Sequence, residues 1–141
     1  MLRPYLLHPA IVHFPIALLL GGLAAQAGSL WPRGRAALAP VATWLLWAGT
    51  LAVWAAVGTG LLAERTAPHV PPAWEVMAEH KELALWTCGV FTLLALGSIY
   101  LKRRLPFLLL ILWLAAAGVL VVTAQHGGRL VYDFGLGVGK E

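Results

Sequence analysis

Apolar residues run along this chain in four long stretches, at about residues 11–31, 40–63, 83–101 and 106–124, with polar residues gathered in the gaps between them. Each stretch supplies about the 20 residues needed to cross about 30 Å of hydrocarbon at about 1.5 Å per residue. Backbone polar groups in lipid have no water to bond, so such segments fold as helices. The gaps set the topology. "WPRGR" (31–35) and "KRRLP" (102–106) are tight polar connections, the second placing a proline in the first turn of the next helix. Loops that short join antiparallel neighbours. The pattern therefore predicts an all-α, membrane-integral four-helix bundle running up-down-up-down, one domain over residues 1–141. The remaining gap, "ERTAPHVPPAWEVMAEHKE" (64–82), is longer; Pro72 is expected to open a short helix there that lies at the interface and runs into the third span. The glycine-rich tail "HGGRLVYDFGLGVGKE" is expected to pack over the same end of the bundle. A cleaved signal peptide is not expected, because the first stretch is long, holds His13 and Pro15, and has only Arg3 ahead of it.

Composition places the chain in lipid. Of its 141 residues 60% are hydrophobic and 11% charged, with mean hydropathy +0.80, against about 45–50% and about 25% in soluble domains. The net charge of +4 comes from dispersed loop residues and forms no basic track, so nucleic acid is not an expected partner. The single cysteine, Cys88, leaves no internal disulfide and no Cys-x-x-Cys-His for covalent haem attachment. Arg33, Arg35, Lys102, Arg103 and Arg104 crowd the two tight turns without an acid, whereas all six acids fall on the other side. By charge density the tight turns face the cytoplasm and both termini the periplasm of a bacterial inner membrane.

Five histidines then fall at the same, outer side: His8, His13, His69, His80 and His126. His69 reads as a loop residue and His8, beside Pro9, as an N-cap position. His13 sits about a turn and a half inside the first span between Val12 and Phe14, where an unpaired imidazole is costly and functional histidines face the bundle interior. On a regular helix His8 and His13 stand about 140° apart, so ligands to one centre must come from different helices. Two neutral imidazoles across a bundle suit the axial positions of a b-type haem. Small residues such as Gly21, Gly22, Gly58, Gly60 and Gly118 leave room for a flat cofactor, though they also serve helix packing. Three or four imidazoles, with Glu79 or Glu82, suit zinc or copper instead. "HFPIALLL" and "HKELALWT", and likewise "GTGLLAER" and "VTAQHGGR", hint at two tandem hairpins with His13 and His80 equivalent. No serine-histidine-acid set, phosphate loop or dinucleotide fingerprint is present.

"HPAIVHFPIALLL" (8–20), "EHKELAL" and "GGRLVYDFGLGV" (127–138) together resemble a bacterial family of small four-helix membrane proteins, the domain of unknown function two-two-three-one. Its pattern falls on His8, Pro9, His13, Phe14 and Pro15, on His80, and on Gly127, Gly128, Leu130, Val131 and Tyr132. Phe134 stands where the family commonly has a tail histidine, and Arg129 where it is often acidic. The resemblance implies a fold and a histidine pattern but no activity. The sequence thus leads to the expectation of a non-catalytic electron-transfer protein holding haem b near the periplasmic face. His13 and His80 are the expected axial pair, His126 and His8 come next, and Arg129 and Tyr132 are set for the propionates. The expected partners are lipid, a periplasmic electron carrier or a quinol, and a homo-oligomer or larger membrane complex. The alternatives are a zinc or copper site built on His13, His80 and His126, or an accessory subunit of a respiratory complex.

Overall fold

The computed structural model describes residues 4–67 and 70–136, and every regular element among them is helical. In order these are α1 (Leu7–Ile11), α2 (His13–Gly28), α3 (Pro32–Thr66), α4 (Trp74–Arg104) and α5 (Pro106–Tyr132), with 3-10 turns at Pro4–Leu6 and Pro71–Ala73. Four helical units are long and apolar enough to cross a membrane: Leu7–Gly28, Pro32–Thr66, Pro71–Arg104 and Pro106–Tyr132. α2 pairs with α3 and α4 with α5; the two hairpins meet firmly through α3 and α4, more loosely through α2 and α5. This is the expected all-α bundle.

The first two spans depart from the expectation, each for a local reason. The first span is broken at Val12. Pro15 has no N–H for the Ile11 carbonyl and its ring crowds that oxygen, so α2 begins afresh at His13. Val12 keeps helical dihedrals, and the chain bends without turning back. α3 starts at Pro32 and runs through Pro40, where a boundary is predicted; its 35 residues reach about 52 Å, well beyond the hydrocarbon. At the other end of the bundle the short helix opened by the prolines runs straight into the third span, as expected. Pro71 and Pro72 preset φ, Glu75 complements the helix N-terminus, and "WEVMAEHKE" becomes the first turns of α4 itself. As expected, loop and tail pack together there, with Ala73, Val76 and Leu130 buried against Met77, Phe134 and Leu136.

The centre of the bundle is closed. Leu19, Leu46, Phe91 and Trp113 are almost completely enclosed, and glycines make space for the largest of them. A Cβ on Gly22 would stand 2.8 Å from Trp113 Cζ2, and one on Gly49 2.6 Å from Leu19 Cγ. Side-chain hydroxyls in this region donate to backbone carbonyls, as Thr50 does to Leu46 (2.8 Å) and Ser98 to Ala95 (2.6 Å), which keeps them satisfied away from water. The outward face is apolar: Trp44, Leu93 and Ile111 are all exposed, the arrangement of a protein whose solvent is lipid. Because Leu19 has no slack at its Cγ, Gly49→Ala is expected to destabilise the bundle by about 1–3 kcal/mol, read as a lowered melting temperature in detergent.

Candidate functional site

Below that plug, at the end opposite the tight turns, the four spans diverge around a cavity of about 380 Å³. Its wall is largely apolar, from Ile16, Val53, Val57, Leu120 and Ala124, and two imidazoles enter it from diagonal helices: His8 of α1 and His80 of α4. Their ring centroids are 6.1 Å apart and their planes inclined at 67°.

The two rings are held in the same way. His8 Nδ1 lies 2.9 Å from the Ala56 carbonyl oxygen on α3, and His80 Nδ1 lies 3.0 Å from the Thr123 carbonyl oxygen on α5. A carbonyl only accepts, so each Nδ1 carries the proton and donates it. Each Nε2 is thereby left as a bare lone pair on a ring of defined orientation, the form in which histidine ligates metals. One turn beyond each carbonyl stands a glycine against which the imidazole rests. A Cβ on Gly60 would be 3.1 Å from His8 Cε1, and one on Gly127 would be 3.0 Å from His80 Cε1. Thr123 is tied further by its hydroxyl, 2.8 Å from that of Thr87.

These paired contacts reveal that the two hairpins are built alike. His8 and Ala56 are 48 residues apart and His80 and Thr123 are 43 apart, so the first hairpin is five residues longer between matching contacts. Laying His8 on His80 and Ala56 on Thr123, and keeping register along each helix, pairs the cavity wall with itself. Val12 falls on Ala84, His13 on Leu85, Val53 on Leu120, Val57 on Ala124, Gly60 on Gly127 and Leu61 on Gly128, and every one of these residues lines the cavity. The cavity therefore lies where the two halves meet. The sequence repeat matches His13 to His80; the structure matches His8 to His80, because the break at Val12 sets α1 apart from α2.

The other site residues read from the sequence are distributed as follows. His13 is exposed at the cavity rim, and its expected place in the bundle interior is taken by His8, which is no N-cap but the second residue of α1. His126 is not on the cavity wall: Nδ1 donates to Val122 O one turn back (2.9 Å), and Nε2 is 3.5 Å from Glu79 Oε2. Arg129 is also off the wall, its Nε 3.7 Å from Asp133 Oδ2. Tyr132 does border the cavity, although its side chain is largely exposed. His69 lies outside the described residues. Among the described residues no three His, Cys, Asp or Glu side chains gather as a metal-ion site, so His13, His80 and His126 do not converge as the zinc or copper set requires. Sequence reasoning missed the carbonyls of Ala56 and Thr123 and the role of Gly60 and Gly127. The recurrence of a glycine four residues after a small residue near the end of each hairpin was the available signal.

Residues 5–140 match the family described as "Predicted membrane protein (DUF2231)". No curated protein matches the chain, and no solved structure does.

Proposed function

The chain belongs to the DUF2231 family of predicted membrane proteins, and on that premise we propose that it is a b-type cytochrome-like protein that binds haem through His8 and His80. The observation that carries the reading is the imidazole pair in the cavity, centroids 6.1 Å apart, with both Nδ1 protons committed to backbone carbonyls. A bare zinc or copper ion asks for three or four protein ligands, whereas haem iron brings four nitrogens of its own and asks for two. An apolar wall suits a flat hydrophobic ring, and Gly60 and Gly127 make the space in which the two imidazoles sit.

In this reading the protein's part is to hold and to exclude. His8 and His80 would hold the iron, Ala56 and Thr123 fix their tautomers, and the Leu19–Trp113 plug closes the site from the opposite end. Bound haem supplies one-electron exchange. The site then sits on the periplasmic side of a bacterial inner membrane, with the arginine-rich turns in the cytoplasm. A single site at that depth serves exchange with a periplasmic carrier or a quinol.

Purification tests this directly. A Soret band with sharp reduced α and β bands, at one haem per chain, is the expected result. A colourless protein carrying stoichiometric zinc or copper moves the same imidazoles to a metal site. A preparation with neither, which also fails to take up added haem, leaves the histidines as structural and ends the proposal.

A further inference from the structure

The two halves of the cavity wall are equivalent in backbone and unequal in charge. Lys81, the residue after His80, meets Glu64, one turn beyond Gly60, across the seam between α3 and α4, with Nζ 2.7 Å from Oε1. In the register given above their counterparts are Pro9 on α1 and Val131 on α5, and all four residues line the cavity. The matching positions hold no charged pair, so the repeated architecture does not itself demand one. As a strut the pair is also weak: both side chains reach solvent, and exposed pairs contribute about 0–1 kcal/mol. Its position is more informative, one residue from an imidazole that enters an apolar cavity. An ammonium there has a flexible stem to lay along the apolar wall and a head free to change partners.

We propose that Lys81 is the anion-binding residue of the site. It takes a carboxylate of the guest, a haem propionate, and Glu64 is the partner it holds until then. This rests on the haem reading and assigns the role that the sequence suggested for Arg129, which is engaged with Asp133 away from the cavity. Because Glu64 competes with the guest for the same ammonium, the two members of the pair act in opposite directions: losing Lys81 weakens binding, and losing the Glu64 charge strengthens it.

The test is a Soret titration of haem-free protein with ferric protoporphyrin IX and, separately, with its dimethyl ester, which lacks the carboxylates. Lys81→Gln is expected to bind haem about tenfold more weakly than the parent chain, the loss of one charge-assisted hydrogen bond. It should bind the ester as the parent does, and Glu64→Gln should bind haem more tightly than the parent. Equal haem titrations for Lys81→Gln and the parent overturn the proposal. So does an equal weakening of haem and ester by both substitutions, the mark of a strut. The parent chain alone keeps the test open if a variant fails to fold, since it must prefer haem to the ester; no preference overturns the assignment. Haem uptake that depends on His8 and His80 but ignores Lys81 removes this inference only. No haem uptake at all removes the haem reading and this inference with it.

Discussion

His8→Ala and His80→Ala are each expected to abolish the low-spin spectrum of the haem-loaded protein, while His13→Ala and His126→Ala retain it. The difference follows from geometry. His8 and His80 both line the cavity, with centroids 6.1 Å apart and Nδ1 donated away (2.9 and 3.0 Å). His13 stands exposed at the rim, and His126 bonds within its own helix and to Glu79. Loss of an outer-shell partner of a ligating histidine typically costs about 10–100-fold in affinity, so loss of the ligand itself should exceed about 100-fold. The check is the absorption spectrum of each purified variant with haem added. A low-spin spectrum surviving in His8→Ala but lost in His13→Ala would return the axial role to His13, as the sequence suggests.

The second large effect is expected at two positions that carry no side chain. In Gly60→Val and Gly127→Val the new Cβ arrives about 3 Å from the Cε1 of the adjoining histidine, and the γ methyls approach further. The imidazole must swing off its carbonyl, losing the Nδ1 bond that sets its tautomer, and haem affinity should fall by about 10–100-fold in each variant. The two losses should be similar, because the two halves of the site are equivalent. Both positions lie in helices at ordinary dihedrals, so the backbone itself tolerates valine. Gly118→Val, where a Cβ meets nothing within 4 Å, is the matched control and should bind as the parent does. Unequal losses at Gly60 and Gly127, or an equal loss at Gly118, would sever the link between the glycines and the imidazoles.

Much of the architecture was legible from periodicity and punctuation. Four apolar runs, two tight arginine-bearing turns and one proline-rich gap suffice for four spans in antiparallel order, and the clustering of histidines at one end follows from that order. The candidate site was legible only in part. From the sequence His80 ranks with His13, and His8 behind them, because His8 precedes the apolar run and could serve as a cap; the structure brings His8 and His80 into one cavity. Angular bookkeeping from a regular helix could not see that Pro15 interrupts the helix at Val12. The repeat was visible in two short matches, but an extra five residues in the first hairpin shift its true register from His13 to His8. Arg129 looked suited to carboxylates by chemistry alone, whereas Lys81 and Glu64 are separated by 17 residues and meet only when α3 and α4 pack.

By itself, then, the chain's order of greasy and polar residues determined the solvent, the number of crossings and which end would carry the imidazoles, since these depend on transfer free energies summed over local windows. Which imidazoles share the cavity was decided by tertiary structure alone. That pairing depends on a proline break, on the length of a hairpin and on backbone carbonyls that every residue possesses and no residue type announces.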